Sequence, residues 1–266
     1  MTTGLPLRGY RALSRASARG VLTYRLSFTL SMLGVFFQFV AMLAVWRVLA
    51  AEGRTGLDWP QMRTYLFVAF ACGALVGLYA DLTMAFRIRS GLVAVDIVRP
   101  VRYQEARFAE VLGALWLEAL IVAGVGVALA ASGLGPLWPG PAGAVLFTAS
   151  MLLMIVLKFL VLYLCGLACF WTQNYMGIQW ARIAVVNLLS GALVPLALMP
   201  DWLGTLAGWS PFAGMASTPG LIAAGDATGG RALGLLAAQA CWAVALWLLA
   251  KGLWRVALRS MTVNGG

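Results

Sequence analysis

Glu118 and Lys158 are the side chains most able to do chemistry, because each sits well inside a long apolar run. A charge near the centre of a bilayer costs at least a few kcal/mol (about 2.5 or more) unless it is paired or wetted. Antiparallel neighbouring helices would bring the two to similar depth, so they are expected either to pair or to face a polar cavity. Two readings stay open: with Asn187 and Gln173 they contribute to a substrate path, or they form a salt bridge that pins two helices. Asp81 lies nearer the end of its run, within reach of Arg87 or Arg89, and reads as a positioning group.

Most other chemistries lack parts. There is no histidine, which removes His-dependent hydrolysis and His-based metal sites. Cys72, Cys165, Cys169 and Cys241 all lie in apolar runs. Cys165 and Cys169 have helical i,i+4 spacing but read more simply as small packing residues, so no metal or cofactor is expected. Lys158 and Lys251 precede Phe159 and Gly252, so no GxxxxGK[ST] phosphate loop exists in this sequence. The chain is therefore expected not to be an enzyme and not to hydrolyse ATP. The net charge of +10 is spread over the ends of apolar runs rather than gathered in one patch, which argues against nucleic acid as a partner.

The elements that must position Glu118 and Lys158 follow from composition. With 62% hydrophobic and 11% charged residues, the charges are too few to coat a soluble globule, and lipid is the natural solvent. We expect an all-α membrane protein of one domain over residues 1–266. Its apolar runs, at 26–48, 63–84, 108–131, 142–171, 178–199 and 232–256, are each long enough to cross a bilayer, for which about 20 residues are needed. Trp46, Trp138, Trp171, Trp180, Trp202 and Trp209 lie near run ends, as interfacial aromatics do. Gly73 and Gly77 form GxxxG, and Gly113, Gly124 and Gly126 thin the third run, suggesting close helix approach. Arg8, Arg11, Arg15 and Arg19 share one helical face over residues 7–25, the pattern of an interfacial helix or of a basic tail that fixes topology. The first run is too long for the core of a cleaved signal peptide.

Arginine and lysine set the orientation. The N-terminal tail, the 87–107 loop and the C-terminal end carry 13 of them, against four on the other side. Both termini and the 87–107 loop are expected to be cytoplasmic. That loop holds Arg87, Arg89, Arg99, Arg102 and Arg107, with Asp96 and Glu105, around an apolar piece from Leu92 to Val98. Ser90-Gly91 opens the piece, and Pro100 closes it by disfavouring helix at Arg99. It reads as a short helix at the cytoplasmic membrane face, exposed to a partner. Residues 200–231 are too apolar for a free loop and too rich in proline for a span. They read as short re-entrant helices, either an outer gate or a structural cap, marked by Pro195, Pro200, Trp202, Pro211 and Phe212.

Taken together, the basic N-terminal helix, the six runs, the loop SGLVAVDIVRPV and the stretch PLALMPDW…SPF resemble the ABC-2 type transporter permeases, in particular bacterial members of about this length. Gly91, Arg99, Pro100, Pro195, Pro200, Pro211 and Phe212 carry the resemblance most specifically. It implies a permease subunit in the bacterial plasma membrane, working as a homo- or heterodimer with a separate ABC ATPase that holds ATP and Mg, and most often exporting. It also implies that the loop after the second span is the coupling helix, so that Arg87, Arg89, Gly91, Leu92, Val95, Asp96, Arg99, Pro100 and Arg102 would contact the ATPase. Membrane lipids would be the other partner. The alternative is a secondary transporter or channel not driven by ATP. Such proteins interrupt helices in both halves, whereas only the fifth run is expected to be interrupted here.

Overall fold

A computed structural model describes residues 5–20, 25–53, 56–76, 80–98, 101–133, 135–136, 139–172 and 175–261, without the side chains at 5–7, 25–28, 31–32, 80–83 and 260–261. Gly77, Arg99, Pro100, Trp138 and Gln173 lie outside these residues, as does the side chain of Asp81. Among the described residues every regular element is helical.

The basic periodicity at the start becomes α1, Leu5–Gly20, whose one face packs along α6, Tyr103–Ala131. The Tyr10 hydroxyl fixes the docking by donating to Glu105 at 2.9 Å and accepting the Arg102 N–H at 3.2 Å. Gly113 is the point of closest approach: a Cβ there would run into the backbone of Ser14. Gly113→Val is accordingly expected to push α1 away from α6 at an overpacking cost of about 1–3 kcal/mol. Limited trypsin digestion should then cut after Arg15 at least several times faster than in the wild type. By contrast, Gly73 has open space around it and Gly126 meets the Phe67 ring, so the tight glycine contact serves α1 more than a pair of spans.

The helices α2 (Arg25–Ala51), α6, α7 (Pro141–Leu167) and α11 (Gly229–Met261) follow the first, third, fourth and sixth apolar runs. Within these helices lie four stretches long and apolar enough to cross a membrane, and between 11% and 33% of each is buried inside the protein. Long apolar helices left this exposed need lipid or another apolar partner around them.

The second and fifth runs depart from a continuous helix. The second divides into α3, Trp59–Ala74, and α4, Ala80–Arg89. The break begins at Leu75, which leaves helical geometry, and Val76, whose φ is +54°. The fifth gives α8, Tyr175–Leu189, which stops at Ser190 and at Gly191 with φ +79°. The expectation that only the fifth run is interrupted is thus corrected. Between α4 and α6 lies α5, Val93–Ile97. Beyond α8 come a single 3-10 turn at Leu196–Leu198, then α9 (Asp201–Trp209) and α10 (Ser217–Ala223).

The main core gathers α7 against α11, α4 and α10. Met154, Leu157, Leu160, Tyr163 and Leu167 of α7 are almost fully inaccessible. A second cluster joins Phe39 and Trp46 of α2 to Tyr65, Leu66 and Phe70 of α3. Trp46 is therefore a core residue, while Trp180, Trp202 and Trp209 remain largely exposed, as interfacial aromatics would.

Candidate functional site

The break between α3 and α4 is built by the two buried charges. The C-terminus of α3 leaves carbonyls without helical partners, as every helix end does. The Lys158 ammonium, projecting from α7, donates to the carbonyls of Cys72, Gly73 and Leu75. A cation is also the favoured charge at a helix C-terminus. From α6, the Glu118 carboxylate accepts the N–H of Val76 at 2.9 Å. Glu118 is 3% exposed. The two groups expected to pair or to face a cavity thus meet at one place, holding opposite poles of a single backbone interruption.

The same place forms one wall of a cavity of about 490 Å³. Its polar lining comes from Gln38 of α2, Lys158, and Gln179, Arg182 and Asn187 of α8, with Ser190 just beyond. Apolar walls come from α2 and α3. Lys158 and Asn187 line this space, whereas Glu118 stands behind the break. Among the described residues that line it, the charged side chains are Lys158 and Arg182.

On the far side of the break, α4 leads to the polar loop. Its last turn carries Arg87 and Arg89, and Gly91 takes φ +73° to turn the chain into α5. Asp96 faces inward, its side chain 1% exposed. It accepts Arg87 Nε at 2.8 Å and lies 3.6 Å from Arg107 of α6, which in turn pairs with Glu110 at 2.8 Å. Donation to the Asp96 carboxylate holds the Arg87 guanidinium above its ordinary pKa. A short helix of five residues cannot hold itself together in water, and this ion-pair chain is what fixes α5 to α4 and α6. With Asp96 and Val93 turned in, Leu92, Val95 and Val98 face out at 40%, 57% and 85% exposure. They form an apolar stripe at i, i+3 and i+6. Arg89 is exposed beside it, and Arg102 pairs with Glu105 at 3.1 Å.

A bundle of long apolar helices with a partly polar cavity, and with a short apolar-faced helix on a polar loop, has the layout of a transport subunit. The profile of the ABC-2 family transporter protein matches residues 29–265. The chain belongs to the ABC-2 transporter family. No curated protein matches the sequence. As an ABC-2 protein it is a membrane permease of an ABC transporter, the transport component of a family that pairs with ABC ATPases.

The segment between α8 and α11 is placed as follows. Pro195 and Pro200 precede the 3-10 turn and α9, and Trp202 is exposed on α9. Phe212 packs against the main core, its N–H bonded to Ser210 Oγ at 3.2 Å, and its carbonyl accepts Met215 N at 2.8 Å. α10 is held under this segment by Ser217 N–H to the Ser190 carbonyl, at 2.9 Å. The Tyr65 hydroxyl donates to the Gly191 carbonyl at 2.7 Å.

Sequence reasoning missed several anchors. Gln239 of α11, 2% exposed, donates to the Gly214 carbonyl at 2.7 Å and accepts from Ser150 Oγ at 2.9 Å, tying α11 and α7 to the segment before α10. A lone glutamine in a 25-residue apolar run was the signal that could have found it. Arg182 of α8 also stands on the cavity wall.

Proposed function

We propose that the chain crosses the bilayer six times, with both termini cytoplasmic, as the permease half of an ATP-driven exporter. In this reading α3 with α4, and α8 with the 3-10 turn after it, each complete a crossing despite their breaks. A second permease copy or a related chain completes the pathway, and ATP and Mg are held by a separate ATPase. α5 is the element that docks on that ATPase. Glu118, Lys158 and Asn187 belong to the substrate path, and the segment with Pro195, Pro200, Trp202, Pro211 and Phe212 closes it on the outer side.

One observation carries the reading. α4 lies in the chain between the break that starts at Leu75–Val76 and the apolar stripe around α5. The ion pairs through Asp96 tie α4, α5 and the start of α6 together. A push on α5 would therefore be delivered to the break at Leu75–Val76, where the helix is already discontinuous. Interrupted helices also occur in secondary transporters, but here the charges at the break are occupied in capping backbone groups.

The test is assembly and energy source together. The affinity-tagged permease, expressed in its native host, is expected to co-purify with an ABC ATPase, and transport in vesicles should require ATP. Transport by a preparation freed of ATPase would overturn the proposal in favour of a secondary transporter or channel.

A further inference from the structure

A second cavity, of about 460 Å³, opens where the start of α6 meets the end of α11. Among the described residues its cations are Arg102, Lys251 and Arg255, and its acid is Glu105. Glu105 is already engaged, by Arg102 at 3.1 Å and the Tyr10 hydroxyl at 2.9 Å. Lys251 and Arg255 are thus the excess charge. The back wall is Trp254, stacked on Tyr103 with ring centroids 4.2 Å apart and planes within 3°. The rim is apolar, with Ile97 of α5 on one side and Leu258 of α11 on the other.

Two features point to a ligand. Gln104 lines this cavity and is 4% exposed, yet neither its amide nitrogen nor its oxygen has a hydrogen-bond partner among the described residues. A buried amide left this way is uncommon in a folded protein unless something satisfies it. The first turn of α6 also has no side-chain cap. Its free N–H groups and the positive end of the helix dipole favour an anion.

We propose that this pocket holds the phosphate of an anionic lipid headgroup, with Lys251 and Arg255 as counter-charges and Gln104 and the α6 amides as donors. A basic pocket between spanning helices at the cytoplasmic boundary suits such a headgroup. The apolar rim of Ile97 and Leu258 would continue along the acyl chains. The choice of lipid over a soluble phosphate rests on the reading that this end of α11 faces the inner leaflet. Because Ile97 belongs to α5, the headgroup would also brace the docking helix against α11.

The test uses the full chain, in phosphatidylcholine nanodiscs containing a minor fraction of phosphatidylglycerol, with lipid retention read by native mass spectrometry. The wild type is expected to keep phosphatidylglycerol in preference to phosphatidylcholine. Lys251→Gln/Arg255→Gln should weaken that preference about tenfold or more, given about 1 kcal/mol for each basic residue near the surface. Gln104→Leu should weaken it too while eluting as a monodisperse peak. A merely tolerated buried amide would instead leave retention unchanged in Gln104→Leu. Equal retention by the wild type and both variants would overturn the site. If inorganic phosphate in pure phosphatidylcholine nanodiscs raises the melting temperature as much as phosphatidylglycerol does, the lipid assignment is overturned. Co-purification of the ATPase is scored in the same samples. Loss of lipid preference with the ATPase retained is the result expected here; a missing ATPase with normal lipid preference overturns only the transport reading.

Discussion

Lys158→Met should be the most damaging single substitution in the membrane-embedded part of this permease. It removes the donor that serves the carbonyls of Cys72, Gly73 and Leu75 and leaves Glu118 as a buried charge beside a broken helix. Removing one partner from a buried charged arrangement costs about 3–5 kcal/mol in soluble proteins. Polar contacts within membranes are worth less on average, because the unfolded chain in lipid finds other partners. The expected loss is therefore near the lower end, about 3 kcal/mol, still a large share of a total stability of about 5–15 kcal/mol. Glu118→Gln is expected to be mild, since the amide oxygen can still accept the Val76 N–H. The decisive comparison is the double variant. Lys158→Met/Glu118→Gln also removes the negative charge beside the lost ammonium and should melt at a higher temperature than Lys158→Met alone, a non-additivity expected of groups sharing one site. Thermal unfolding in nanodiscs followed by circular dichroism measures all three. A Lys158→Met protein that melts with the wild type would mean that the backbone break is held by packing alone.

This clamp also shows how far the sequence could be read. The apolar runs were legible because membrane crossing is a matter of length and composition, and α2, α6, α7 and α11 follow them closely. The division of the second run was not legible. Residues 63–84 are continuously helix-compatible, with no proline, and what interrupts them is donated by α6 and α7. The charges themselves were visible as anomalies, and they did converge, but on a backbone rather than only on each other. Similarly, five arginines near Asp96 gave no way to tell which would pair with it. Arg87 and Arg107 win because α4 and α6 bring them to the inner side of α5, whereas Arg89 points away. The intramembrane Gln239 was readable as an oddity, but its partners, Gly214 and Ser150, are set by the folding of the outer segment onto α7.

Val95→Glu is expected to separate docking from folding. Val95 is 57% exposed at the centre of the stripe formed with Leu92 and Val98. A carboxylate there remains in water in the free permease, so stability should change by no more than about 0.5 kcal/mol. At an interface the same carboxylate would be desolvated without a partner. Disrupting the apolar centre of an interface in this way costs about 2 kcal/mol or more, roughly a thirtyfold weakening of ATPase binding. Asp96→Asn should behave in the opposite order. It leaves the stripe untouched but breaks the pairing to Arg87 and Arg107, so α5 loses its anchorage and the melting temperature falls. Arg87 is about a quarter exposed, which moderates the loss to about 2 kcal/mol. ATPase co-purification and thermal melting, measured on both variants, therefore give a crossed pattern if α5 is a docking helix. If Val95→Glu still binds the ATPase as the wild type does, the apolar stripe faces lipid. The cytoplasmic arginines would then serve only to set the topology.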